Sequence, residues 1–299
     1  MATIKVACWN IYYSDRLVHK GEIKKSSKNR ADNVGKIIGT IDADILGIVE
    51  CMPENKLNVF CNVYCNYYDI LVEGIKTEQN VGMLYYSPTV KVEKLNYNKK
   101  KWNAQIGDDK KKKKYAFSRN PLIVKVTPKI GNKKPFIVAV VHQKSKKTYT
   151  PDKKEPYNNR KKIIAQGMRL RTILFGMVKK GIAERFIIMG DINDGPGFDE
   201  YEASLLKSGV EAHIGSVLEP ETILHSFVDL SDGIGKPTHC FKPPAQIDHM
   251  LYPRDMAHGP SKPKVKENSG KIRDDLVDLK KNGKDRDSDH APVELTVNV

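Results

Sequence analysis

The last hydrophobic strand of this chain opens on Ser288-Asp289-His290-Ala291-Pro292, an acid and an imidazole side by side at the mouth of an apolar run. Trp9-Asn10, Glu50, His142, Gly190-Asp191-Ile192-Asn193 and Asp248-His249 also stand at the ends of apolar runs. Glu50 terminates Asp44-Ile-Leu-Gly-Ile-Val49, where an acid is hard to explain as solvated surface, and Asn10 closes Ile4-Lys-Val-Ala-Cys-Trp9. His142 ends Pro135-Phe-Ile-Val-Ala-Val-Val141, with Lys144 two residues on, so both offer donors to a phosphate. Arg185-Phe-Ile-Ile-Met189 reads as a buried strand and Gly190 to Gly197 as its exit loop. Side chains i and i+2 of a strand share a face, so Asp191 and Asn193 are expected on the same side. They would emerge at a strand's carboxyl end, where open α/β sheets place their ligands. Phosphate-ester hydrolysis requires a hard cation, a base near the attacking water, and donors that neutralise charge on the phosphoryl oxygens. These residue types supply all three, and the oxygen donors suit Mg2+, with Mn2+ the alternative.

In their chain order the blocks resemble the endonuclease/exonuclease/phosphatase superfamily, which includes pancreatic-type deoxyribonuclease, abasic-site endonucleases, neutral sphingomyelinases and inositol polyphosphate phosphatases. The matching segments are Trp9-Asn10, Ile48-Val49-Glu50, Phe117-Ser118-Arg119-Asn120-Pro121-Leu122, Val141-His142-Gln143-Lys144-Ser145, Gly190-Asp191-Ile192-Asn193, Gln246-Ile247-Asp248-His249 and Ser288-Asp289-His290-Ala291-Pro292-Val293. Motifs of this kind gain weight from their structural context, and here each falls on an expected strand end. The resemblance implies that Glu50, with Asn10 and Asp289, holds the divalent metal. It implies that Asp248 orients His290, that Asp191 and Asn193 position or activate the water, and that His142 and Arg119 grip the scissile phosphate. Whether Asp191 or His290 takes the proton stays open at this level. A four-layer α/β sandwich is implied as well: two mixed, mainly antiparallel β-sheets face to face, with helices on both outer faces.

The pattern of elements agrees with α/β architecture. Helices are expected over 29–40 and 158–180, the second carrying Ile163, Ile164, Gly167, Leu170, Leu174 and Val178 at three- and four-residue intervals. Tyr115 to Val126 and Pro135 to His142 should pair as a hairpin through Gly131-Asn132, which brings Arg119 towards His142. The blocks run from residue 10 to residue 290, so a single domain over residues 1–299 is expected, with insertions near 98–114 and 253–287.

The net charge of +15 points to an anionic partner, discounted because only ten of the 51 basic residues are arginine. Distribution says more than the total. Lys99 to Lys101 and Lys110 to Lys114 flank Trp102 in the first insertion, which reads either as a clamp for a nucleic-acid strand or as a solvated loop. Trp102 is the better base-stacking candidate of the two tryptophans, since Trp9 should pack under its sheet. Cys61 and Cys65 sit one helical turn apart and read as core thiols, and His19, His213, His225, His239 and His258 show no ligand spacing. Five scattered cysteines and an amino terminus without a leader pattern point to a reducing compartment, the cytoplasm. No membrane span and a monomer are expected.

The expected function is that of a divalent-metal-dependent phosphodiesterase, a nuclease acting on DNA or RNA. One alternative is a phosphatase or phospholipase-like hydrolase of an inositol phosphate, nucleotide or sphingomyelin. Another is a non-catalytic polyanion binder, which the gathered carboxylates oppose because without a cation they would repel phosphate. Abasic-site enzymes carry a Trp shortly before the Asp248 block; here Phe241 is the aromatic in that stretch.

Overall fold

The computed structural model describes residues 2–74, 79–152, 154–195, 199–214, 224–226, 237–240, 245–259, 263–279 and 286–299. Phe241 and the Pro196-Gly197 end of the exit loop lie outside the described residues.

Near-continuous apolar runs mean that strands are covered on both faces, and the packing shows this residue by residue. Along Thr3–Asn10, Ile4, Val6 and Cys8 enter a core between two sheets, whereas Ala7 and Trp9 enter a second core under helices. Along Phe186–Asp191, Ile187 and Met189 join the inter-sheet core while Phe186 and Ile188 face the long helix Glu155–Lys179. The result is the expected four-layer sandwich. Helices Lys28–Ile41 and Glu54–Tyr64 cover one outer face, and Glu155–Lys179 covers the other. Gly47 marks how closely the sheets approach: a Cβ there would lie 2.7 Å from Met189 Cε and 3.1 Å from Val140 Cγ2 of the opposite sheet.

The first sheet runs in the order Lys264–Val265, Val293–Asn298, Thr3–Asn10, Ile45–Cys51, Asn80–Tyr85, Asp69–Glu73, with Lys271–Ile272 also pairing on Val293–Asn298. The second runs Leu224–Ser226, Asp248–Pro253, Phe186–Asp191, Phe136–His142, Leu122–Pro128, Val90–Lys94. Each sheet has one parallel pair at its centre, Thr3–Asn10 with Ile45–Cys51 and Phe136–His142 with Phe186–Asp191; its other pairings are antiparallel. The carboxyl ends of these parallel pairs carry Asn10, Glu50, His142 and Asp191.

Both helices expected from the sequence are present, as Lys28–Ile41 and Glu155–Lys179. The second begins three residues early, because Pro156 in its first turn has its φ preset for a helix and needs no hydrogen-bond acceptor. The hairpin also forms, with Leu122 opposite Val140 and Val126 opposite Phe136. Its first strand is shorter than expected. The backbone leaves the strand over 116–121, because Pro121 has no N–H and restricts Asn120 before it. Residues Lys113–Tyr115 pair instead with Trp102–Ala104, so the segment closes as a small hairpin, with Lys110 to Lys112 in the turn that joins its strands and the lysines exposed. Trp102 is half-buried there, its ring 5.0 Å from that of Phe117, and so packs rather than presenting a free face to a base. In the 253–287 segment, Arg254–His258 forms a short helix and two short strands edge the first sheet. All five cysteines are free thiols, and no helix among the described residues is long and apolar enough to cross a membrane.

His213, on the short helix Gly209–Ile214, is fully buried. In the neutral ring Nδ1–H donates to the Gly209 carbonyl at 2.9 Å and Nε2 accepts from Gln143 Nε2 at 3.1 Å. Burial pushes its pKa down from 6.5 to about 4; the Gly209 bond opposes this and nearby His249 adds to it. The native state therefore binds fewer protons than the unfolded chain between these two values. The contribution is fully present above pH 6.5 and is lost as pH falls towards 4, amounting to about 3 kcal/mol. Urea unfolding at pH 7 and at pH 4 should show a drop in stability that is smaller by about that amount in His213→Gln; equal drops would refute the assignment.

Candidate active site

The two parallel pairs point their carboxyl ends the same way and the sheets face one another, so polar groups from both converge at one edge of the inter-sheet core. On the second sheet, His142, Asp191 and Asp248 stand abreast in register on three adjacent strands. All three are buried. Gly190 lets the middle strand deliver Asp191 there: its φ is +136°, and a Cβ at that position would run into the Val141 carbonyl.

From the first sheet, Asn10 Nδ2 donates to Asp191 Oδ2 at 3.1 Å and lies 3.3 Å from His290 Nε2. His290 Nδ1 is 2.7 Å from Asp248 Oδ2. Ser288 anchors this turn: its hydroxyl donates to the Asn10 carbonyl and accepts from the His290 backbone N–H at 3.0 Å. Trp9 Nε1 donates to the His290 carbonyl at 2.9 Å. The structure thus brings Asn10, Asp191, Asp248 and His290 into one hydrogen-bonded set, with His142 Nε2 3.7 Å from Asp191 Oδ2.

Glu50 follows a register shift in its strand and has φ 52°, which swings its carboxylate out of the ladder. The Tyr13 N–H donates to it at 2.9 Å and Gln79 Nε2 lies 3.4 Å away. Arg119 donates to the Gln143 carbonyl at 3.2 Å and to Gln79 Oε1. Asn193 is near Asp191, although not by strand alternation. The strand ends at Asp191 and Asn193 adopts a left-handed conformation, φ 58°. Its N–H caps Asp191 Oδ1 at 2.7 Å and its Nδ2 donates to the Gln143 carbonyl at 3.2 Å. Lys144 stays at the rim, where Nζ bonds the Ser145 carbonyl at 3.0 Å and lies 5.6 Å from the Tyr149 ring centroid.

Electrostatics follow from these distances. Burial disfavours a charged His290, but Asp248, Asp191 and Asp289 outweigh it and raise its pKa to about 10. Burial and the Asp248 charge raise Asp191 to about 7, against the pull of His290. Burial also raises Glu50 and Asp289 above the usual carboxylate range. His142 is driven well below its ordinary value by burial and by the Arg119 and His290 charges.

Asn10 Oδ1 and Asp289 Oδ1 are buried acceptors with no hydrogen-bond donor, as a cation-binding edge would present them. Among the described residues, two groups of acids and imidazoles place their ligand atoms within 4.8 Å of one another: His239–Asp289–His290 and Asp191–Asp248–His290. Glu50 belongs to neither group; its electrostatic neighbours are nonetheless His290, Asp289 and Arg119. His239 is the residue the sequence did not reveal. It pairs with His290 through a backbone bridge and its Nε2 lies 3.9 Å from Asp289 Oδ2. That contact joins segments 50 residues apart, so no local spacing could signal it.

The profile of the Endonuclease/Exonuclease/phosphatase family matches residues 7–290. The chain belongs to this family. Its members hydrolyse phosphoester bonds, and the convergence described above lies within the matched residues. Among solved structures, the chain resembles TDP2 from D. rerio complexed with single-strand DNA product, at 13% identity and a TM-score of 0.57 over 100% of each chain. It resembles the human Nocturnin catalytic domain with bound sulfate, at 16% identity and a TM-score of 0.56 over 99% of this chain and 94% of that one. An endonuclease/exonuclease/phosphatase family protein from Bacteroides thetaiotaomicron aligns at 14% identity and a TM-score of 0.55, over 99% and 97% of the two chains. At such identities the likeness concerns the fold. No curated protein matches by sequence.

Proposed function

We propose that the protein is a Mg2+- or Mn2+-dependent phosphodiesterase that cleaves nucleic acid, DNA in the first instance and RNA as the alternative polymer. The observation that carries this reading is the buried set Asn10–Asp191–His290–Asp248 spanning both sheets, with Arg119 and His142 beside it. Glu50, Asn10 and Asp289 are the residues that would hold the cation. When bound, it supplies Lewis-acid polarisation of a phosphoryl oxygen and offsets the carboxylate charge.

The chain's own groups divide the remaining work. Arg119 and neutral His142 donate to the phosphoryl oxygens, and Lys144 adds positive charge at the rim. Asp191 receives the water proton, because His290, held by Asp248 and with a pKa near 10, already carries one at neutral pH. Asn193, fixed by the Gln143 carbonyl, orients that water. His290 then donates through Nε2 towards developing negative charge. The polymer is favoured by the +15 charge and by Tyr149, 71% exposed, whose ring lies beside Lys144 and Lys147 and can stack on a base. The DNA product in the similar D. rerio TDP2 structure supports it too.

The deciding experiment incubates the protein with plasmid, single-stranded DNA, RNA, a bis-aryl phosphodiester and an aryl phosphomonoester, with Mg2+ and with chelator. Cleavage of a polymer and of the diester, absent with chelator, is expected. Turnover of the monoester alone would replace the nuclease by a phosphatase.

A further inference from the structure

A cavity of about 380 Å³ opens between the Trp102–Tyr115 hairpin and the amino-terminal half of the Glu155–Lys179 helix. Its walls carry Lys101, Lys113, Lys114, Lys161 and Lys162, with Ala116 on the side that leads to Arg119. We propose that this cavity binds a backbone phosphate of the substrate strand at a distance from the bond being cut, a subsite that rests on the nuclease reading above.

Charge bookkeeping singles out an anion as the occupant. Lys161 is matched by Asp108 at 2.8 Å and Asp109 at 2.7 Å, and Asp109 also takes Lys113 at 2.7 Å. Among the described residues, Lys101, Lys114 and Lys162 have no carboxylate partner, so three positive charges face one concavity. Lys162 is half-buried, and burial together with the Arg119 charge lowers its pKa, a cost that a bound anion would relieve.

The cavity is also preformed. Trp102, Ala104, Ile106 and Tyr115 of the hairpin segment share one apolar cluster with Ile164 and Ala165 of the long helix. A rigid wall loses little entropy on binding. Gln166 ties this wall to the catalytic edge: its Nε2 donates to the Ala116 carbonyl and to Ser118 Oγ, each at 3.0 Å, and its Oε1 accepts the Lys144 N–H at 3.2 Å.

Ala116 and Arg119 are three residues apart, which spans at most about 10 Å. A strand with one phosphate at Arg119 would therefore bring a phosphate only a few nucleotides away to the cavity. A small phosphodiester would not reach it. Length of substrate is therefore the variable that separates this subsite from the catalytic centre.

The test uses the full chain, its Lys101→Glu/Lys114→Glu variant and the charge-keeping Lys101→Arg/Lys114→Arg variant; both lysines are exposed and outside the catalytic edge. Each is assayed on the bis-aryl phosphodiester and on single-stranded oligonucleotides from dinucleotide to dodecamer. For the unmodified protein kcat/KM should climb with length and level off once the strand spans the cavity. The Glu variant should lose about 10- to 100-fold on the dodecamer, and the slope of log kcat/KM against log salt should shrink by about 0.7. On the bis-aryl diester it should match the unmodified protein, and the Arg variant should match it throughout. An unaltered dodecamer rate, or an equal loss on the bis-aryl diester, overturns the subsite while leaving the nuclease reading in place. If the unmodified protein turns over the bis-aryl diester and no oligonucleotide, the nuclease reading falls and the subsite falls with it.

Discussion

Replacing His290 by Ala is expected to lower kcat by about 10³- to 10⁴-fold, with Asp248→Asn losing about as much and the double variant no more than the worse single. The two side chains form one unit: the 2.7 Å contact between His290 Nδ1 and Asp248 leaves Nε2 as the ring atom facing Asn10 and Asp191. Asp248→Asn keeps the shape and removes the charge that offsets the burial of an imidazolium, so the protonated ring loses its main support. Neither residue would bind the distal part of a substrate, so KM should move far less than kcat. Steady-state kinetics on the bis-aryl diester checks this. Losses under tenfold, or losses that multiply in the double variant, would show that the pair is not the chemical centre.

Removing divalent metal is expected to abolish turnover and to lower the melting temperature by several degrees, with both recovered on adding Mg2+. A cation present at a hundred times its dissociation constant stabilises the fold by about 2.7 kcal/mol. At about 2–4 °C per kcal/mol for a chain of this order, such a shift is easily read. Glu50→Gln and Asp289→Asn should remove the Mg2+-dependent shift. They should also leave the metal-free protein more stable than the unmodified one at neutral pH. The sign follows from linkage: both carboxyls are raised above their ordinary range, so the native state binds protons more readily than the unfolded chain and loses stability as pH rises through that interval. A neutral isostere escapes that loss. Calorimetry with and without chelator decides the matter, and a Mg2+ shift that survives in both variants would place the cation elsewhere.

Much of this arrangement was legible in the amino-acid order. Asn10, Glu50, His142 and Asp191 each follow an apolar run, and a buried strand delivers its last polar residue to a fixed edge of the sheet. The hairpin that carries Arg119 towards His142 followed from two apolar segments and a Gly-Asn turn. The relation of Asn193 to Asp191 was read through the wrong geometry, because pleat alternation applies only while a strand continues, and here a left-handed turn intervenes. The Lys-rich segment looked like a loop because three-residue strands leave almost no periodic signal, and docking on the long helix holds them in place. His239 was invisible for a related reason: its bridge to His290 depends on chain closure far from both residues in sequence.

Hydropathy and chain order suffice for the α/β class, the family and the strand ends that bear polar groups, because each of these depends on interactions within a few residues or on motifs read in series. How Asn10, Asp191, Asp248 and His290 come to share hydrogen bonds, and what protons they carry, depends on two sheets packing face to face. Distances of about 3 Å between buried groups 181 and 280 residues apart are properties of that packing and of no shorter stretch of chain.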